Sequence, residues 1–264
     1  MNHALIKAFS LVELSIVLVI LGLLTGGILA GKSLVRASEL RASTRQLANY
    51  HTAVYTFRDK YFYIPGDMTN ATRFWGIAAG ATGNDDTCFS ASSTDSTTCN
   101  GDGNGLVDAP SAATGLNIVI ERFLFWKHLS SAGLIEGSYT GTHGTSASAS
   151  NGGVNVPKTK TSNGIFMTWG RPALPSGNSE YYPMPQQNML VINADGGGAA
   201  GTLIPEEAWN IDSKLDDGKP ALGKMTTFKK TSTFGPNCSD GDTTAADYDF
   251  TITAKNCRLM YGVY

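Results

Sequence analysis

The chain holds 264 residues, 42% of them apolar and 16% charged, with a formal net charge of −2 and a pI near 6.1. That length supports one sizeable folded domain on a stalk and does not demand two. The near-neutral balance excludes a general electrostatic case for nucleic acid as a partner.

The most informative stretch comes first. Lys7-Ala8-Phe9-Ser10-Leu11-Val12-Glu13 leads into an apolar run through Leu14, Ile16, Val17, Leu18, Val19, Ile20, Leu21, Leu23, Leu24, Ile28 and Leu29. A helix over residues 9–31 would reach about 34 Å, enough to cross a hydrocarbon core of roughly 30 Å. Its one ionisable side chain is Glu13. A charge there costs about 2.5–3.5 kcal/mol on insertion scales, so the position calls for a partner. Cleavage between Ala8 and Phe9 would create an α-amino group four residues before Glu13, able to neutralise that carboxylate on a neighbouring copy.

These residues resemble the class III signal of type IV prepilins and type II secretion pseudopilins. The resemblance assigns residues 1–8 to a leader peptide, Phe9 to the new and N-methylated terminus, and Glu13 to the fifth position of the processed chain. Phe9-Ser10-Leu11-Val12-Glu13-Leu14 matches position by position, with Ser10 where Thr is commoner; Ala8 stands where the family prefers Gly, which implies slower cleavage. The motif covers the first 60 or so residues. It implies a pilin-like α+β fold, with a long N-terminal helix packed on an antiparallel sheet with long loops. It further implies a structural role in a type IV pilus or a type II secretion pseudopilus. The implied partners are other pilin copies, a prepilin peptidase, an inner-membrane platform protein and an assembly ATPase. The implied location is the bacterial inner membrane before assembly, and a surface pilus or periplasmic pseudopilus after it.

Two other readings of the segment fit less well. A Sec signal peptide has a shorter apolar stretch and a small-x-small site, whereas this run is longer and contains Glu13. A plain single-span anchor has no use for that glutamate. Lys7 is the only lysine or arginine before the span, while Lys32, Arg36, Arg41 and Arg45 follow it, so a positive-inside count would place the C-terminal bulk in the cytoplasm. Long domains translocate with little regard to charge, the cysteines and polar bulk argue for export, and the resemblance implies insertion with the leader inside, so residues beyond about 32 are expected outside.

Helical periodicity continues to residue 61 as an amphipathic segment over 32–61. Leu40, Leu47, Val54 and Tyr61 recur every seven residues, with Tyr50 and Phe57 on the same stripe and Ser43 interrupting it. Gly22, Gly26, Gly27 and Gly31 are poor helix formers in water but permit close helix packing in apolar surroundings. Pro65-Gly66 forces a turn, and residues 62–264 form the globular part. Residues 79–113 read as an irregular exposed loop.

Inside that loop, Asn100-Gly101-Asp102-Gly103-Asn104-Gly105-Leu106-Val107-Asp108 lies on the calcium-loop pattern. Asn100, Asp102, Asn104 and Asp108 supply oxygen side chains at the first, third, fifth and ninth positions, with the Leu106 carbonyl at the seventh. Asn100 replaces the usual Asp, and Ser111 stands where a bidentate Glu belongs. A remote carboxylate such as Asp85, Asp86 or Glu121 would have to complete the shell. The competing reading is an Asn/Gly-rich turn beside a disulfide, and a surface calcium-loop adhesin on this anchor is the alternative function.

A second helix is expected over residues 116–132, with Ile120, Phe123, Leu124 and Leu129 at helical spacing and Gly133 as its stop. His128 within it reads as a histidine making one satisfied hydrogen bond at a core edge. Residues 138–163 look like a mobile excursion. Strands are expected over 165–169, 189–193, 248–253 and 258–264, and a short helix over 206–217 begins after Pro205. Asp212, Asp216 and Asp217 on that helix read as solvated charge, as do Lys219, Lys224, Lys229 and Lys230 near Phe228.

The four cysteines fall as two local pairs, Cys88 with Cys99 and Cys238 with Cys257, without CxxC spacing. In an exported chain this reads as two disulfides. No nucleophile elbow, phosphate loop or HExxH motif is present, so the chain is not expected to be an enzyme.

Overall fold

Ser10 starts the first helix: its hydroxyl accepts from Val12 N–H at 3.3 Å while Glu13 Oε2 accepts from Ser10 N–H at 2.9 Å, a reciprocal capping box. The computed structural model describes residues 10–78, 95–107, 121–142, 150–161, 163–170, 180–196, 200–232 and 238–263. Helix α1 (Leu11–Tyr61) runs for 51 residues without a break, about 76 Å of helix. Residues 10–35 are exposed throughout, and burial begins only at Arg36. Ser43, Leu47, Tyr50, Ala53, Val54 and Phe57 then form the buried stripe. Ser43 does not interrupt it, because its hydroxyl accepts Lys160 N–H at 3.2 Å and is thereby satisfied on burial.

The helix stops at Phe62, which adopts φ 59° and donates its N–H to the Arg58 carbonyl. Phe62 itself is 88% exposed, unlike the partly buried Tyr61 and Tyr63 beside it. Gly66 follows with φ +92°, where a side chain would also strike the Glu121 carbonyl. A short helix α2 (Thr72–Trp75) comes next, unforeseen in the sequence. Helix α3 (Glu121–Ser131) covers the described part of the expected second helix; residues 116–120 lie outside the described residues.

Four strands form one antiparallel sheet in the order β1-β2-β4-β3: β1 (Gly164–Gly170), β2 (Asn188–Ala194), β3 (Met225–Thr226) and β4 (Leu259–Gly262). Strand side chains alternate between faces. Phe166, Leu190, Ile192, Leu259 and Tyr261 join the large core beneath α1 and α3. Met189, Val191 and Met260 point to a second core with Tyr181, Met184 and Phe228. Tyr50 of α1 sits between Trp126 and Phe166, each ring centroid 5.1 Å away and edge-on. Tyr50 thus ties α1 to both α3 and the sheet, giving an α+β layout.

Several expected elements are corrected. Residues 248–253 are not a strand: Asp249 Oδ1 accepts from Thr251 N–H at 3.0 Å and turns the chain, leaving one bridge between Ser239 and Tyr248. Residues 150–161 are no excursion, for Val156, Thr159 and Thr161 are buried and Lys158 bridges to Ile165. Helix α4 (Pro205–Leu215) ends earlier than expected, with Asp216 N–H donating to the Asp212 carbonyl at 2.7 Å. Cys238 and Cys257 form a disulfide, 19 residues apart in sequence. Cys99 is disulfide-bonded, and Cys88, its expected partner, lies outside the described residues.

Candidate functional site

The first half of α1 is long and apolar enough to cross a membrane, and none of its most apolar window is buried. Leu11 is 85% exposed, and Val12, Leu14, Ile16 to Leu21, Leu23, Leu24, Ile28 and Leu29 are all uncovered. Stripping this much apolar surface from water is worth roughly 25 cal/mol per Å², so in solution the segment demands a covering of lipid or protein. A Cβ added at Gly22, Gly26, Gly27 or Gly31 would meet nothing within 4 Å. Each mid-helix glycine costs about 0.8–1 kcal/mol against alanine, and among the described residues no close approach at these positions explains that cost. Glu13 lies at the start of the same face-free segment, its carboxylate folded back on Ser10. Ala8 and Phe9 lie outside the described residues.

The second candidate is the glycine-rich loop 100–107, which is stitched to three elements. Gly101 N–H donates to the Met68 carbonyl at 2.8 Å, Gly170 N–H donates to the Val107 carbonyl at 2.6 Å, and Asn188 Oδ1 accepts Val107 N–H at 2.7 Å. A side chain at Gly101 would collide with the Gly66 carbonyl and with Asp67, so only glycine allows that approach. Asn100 is buried, with Oδ1 accepting Thr72 N–H at 3.0 Å. Asn104 Oδ1 accepts Leu106 N–H at 2.7 Å. Asp102 accepts both from Asn104 N–H and from its side-chain amide. Asp108 and Ser111, with Asp85 and Asp86, lie outside the described residues.

The carboxylates that meet are Asp67, Asp102 and Glu121, one oxygen of each within 4.8 Å of the others. Glu121 also accepts Asp102 N–H at 2.9 Å. Asp67 escaped the sequence reading, since it follows the helix stop with no ligand spacing around it. Burial foremost, and the Asp102 charge in addition, push the Asp67 carboxyl up to about 6, against the Gly105 and Gly103 N–H groups that pull it down.

His128 is fully buried and makes two hydrogen bonds, where one at a core edge is expected. Its Nδ1 accepts Gly66 N–H at 2.9 Å and its Nε2 faces the Cys99 carbonyl at 2.9 Å, which fixes the Nε2–H tautomer. Burial holds the imidazole down to about 4, so it serves as a neutral clamp between the turn after α1 and Cys99.

Comparison of the chain with protein-family models, with curated proteins and with solved structures finds no match.

Asp212, Asp216 and Asp217 also converge, but Asp212 is buried and not solvated as expected. Tyr248 Oη donates to Asp212 Oδ2 at 2.7 Å, and Gly218 N–H to Oδ1 at 3.3 Å. Asp216 accepts Lys224 and Met225 N–H groups, and Asp217 accepts Lys219 N–H. Each of the three carboxylates therefore already answers backbone or phenol donors. Burial, above all, raises the Asp212 carboxyl to about 7. Among the lysines, Lys219 pairs with Asp247 at 2.6 Å and Lys230 donates to the Asp240 carbonyl.

Proposed function

We propose that the chain is a prepilin-type structural subunit, cut between Ala8 and Phe9 and assembled through the first half of α1 into a pilus-like or secretion filament. The carrying observation is the uncovered segment Leu11–Val35, whose residues 14–31 carry no charged side chain, joined without a break to a helix half that packs on the domain. A lone membrane anchor would share the apolar surface. It would not call for Glu13 one turn into the helix, nor for four glycines at which an added Cβ would meet nothing among the described residues. Glycine at those positions lets helices approach closely in an apolar medium, and Glu13 offers a counter-charge to the Phe9 amine of a neighbour. The processing peptidase, platform protein and ATPase belong to this reading, as does a passage from inner membrane to filament. No catalytic role is assigned.

The test is isolation of sheared surface filaments, and of periplasmic filaments, from the native host, followed by immunodetection of this chain. Co-purification with filaments is expected. Retention of the entire population in the membrane fraction, under conditions where the filaments form, would refute assembly.

A further inference from the structure

Asp67, Asp102 and Glu121 come from the turn after α1, the glycine-rich loop and the first residue of α3. Asp67 is 3% exposed and Glu121 1%, while Asp102 is exposed, so a buried pair of carboxylates opens to solvent on one side. Carboxylates gathered this closely repel one another, more strongly away from water.

Acidic clustering alone does not require a ligand. The independent observation is Asp67 Oδ1, which is buried and accepts no hydrogen bond, although its sister oxygen takes Gly105 N–H at 2.9 Å. Buried polar atoms are almost always answered. Among the described residues, neither Asp67 nor Asp102 forms an ion pair. The Asp212 cluster has no such atom: among the described residues, no carboxylate oxygen of Asp212, Asp216 or Asp217 is buried without a hydrogen-bond partner.

We propose that Asp67, Asp102 and Glu121 hold a calcium ion that fastens the loop 100–107 to the turn after α1 and to the start of α3. The donors are all hard oxygens, which suit calcium and not a thiolate- or imidazole-seeking metal. Calcium places its ligands at about 2.3–2.6 Å, so oxygens on opposite sides of the ion stand roughly 4.6–5.2 Å apart and neighbouring ones closer. Three oxygens within 4.8 Å fit one such shell. Among the described residues no further carboxylate joins the three, and the open side at Asp102 admits water. The ion would answer Asp67 Oδ1 and offset the repulsion among the three carboxylates.

The test uses the full chain in detergent, with calcium alone as the probe. Equilibrium dialysis against radioactive calcium should find one ion per chain, and calcium should raise the melting temperature relative to a chelator by mass action. Magnesium should substitute poorly, being smaller and stricter in geometry. Asp67→Asn and Glu121→Gln should each lower the calcium affinity at least about tenfold, with circular dichroism in chelator unchanged. Asp108→Asn should leave the affinity as it was. Absence of bound calcium in the wild-type chain would overturn the proposal, whatever the variants do. So would wild-type affinity in Glu121→Gln. Loss of binding in Asp108→Asn, with retention in the other two, would return the ion to the linear loop.

Discussion

Arg36 on α1 and Glu207 on α4 form a two-point salt bridge across 171 residues of sequence, with Nη2 donating to Oε2 at 2.7 Å and Nε donating to Oε1. Glu207 Oε2 also accepts Ile204 N–H at 3.1 Å, so one carboxylate caps α4 and anchors α1. The bridge sits where α1 passes from uncovered to packed. Both side chains are mostly shielded from water, so the pair outweighs an ordinary surface bridge, though solvent still screens part of it. Glu207→Ala should destabilise the domain by about 1–2 kcal/mol in denaturant titration of the full chain in detergent. Arg36→Lys should lose a large part of the same amount, because an ammonium cannot make the planar fork. An unchanged midpoint in Glu207→Ala would show that the bridge contributes nothing.

The Cys238–Cys257 disulfide joins the start of the last irregular segment to the strand-like bridge at Leu203, just before α4. Both sulfurs are buried. Closing a loop of that size removes unfolded-state entropy worth about 3 kcal/mol. Replacing both cysteines by serine should lower stability by about that amount, measured as a shift in denaturation midpoint. Reductant should destabilise the wild-type chain and leave α1 helical by circular dichroism. Equal stability of the oxidised and reduced wild-type chain would contradict this.

Asp212 gives a pH signature with a definite sign. Its folded carboxyl titrates at about 7 against an ordinary 3.8, so between those values the folded chain keeps a proton that the unfolded chain releases. Raising pH through that window therefore favours unfolding, and the loss is complete above about pH 7. His128, held down to about 4 by burial, acts oppositely between there and its ordinary 6.5. Asp67 shares the sign of Asp212 below about 6, and saturating calcium should suppress that contribution. A difference measurement isolates Asp212. In calcium, the melting temperature of Asp212→Asn minus that of wild type should rise from about pH 5 to about pH 7.5. A constant difference would show that the carboxylate does not titrate in this range.

Much of α1 was legible because Leu47, Tyr50, Val54 and Phe57 recur at helical spacing, and residues 14–31 carry no charged side chain. Strand β2 was legible as an apolar run, being covered on both faces. Strand β3 has only two residues, too few to show a period. Residues 248–253 misled because Tyr248, Phe250, Thr251 and Ile252 favour strands, while the Asp249 side chain commits the segment to a turn. The glycine loop was visible as a ligand-rich stretch, yet the carboxylates that meet Asp102 are Asp67 and Glu121. Local spacing cannot reveal ligands that converge from separate elements, although Glu121 was among the remote carboxylates the pattern required.

Glu13 separates capping from assembly. Its carboxylate closes the capping box on Ser10, and glutamine preserves that box while removing the charge. Glu13→Gln should therefore leave membrane insertion and helix content intact and still reduce filament incorporation, because the neighbouring amine loses its counter-ion. Normal incorporation of Glu13→Gln, measured by immunoblot of sheared filaments, would reduce Glu13 to a helix cap.

As a filament subunit, this chain would be processed at Ala8/Phe9 and assembled through the helix that follows. Mass spectrometry of the protein from its native host tests it most directly. A chain beginning at N-methylated Phe9 is expected. An intact Met1 terminus, or a cut near Ala30 at the end of the apolar run, would contradict it.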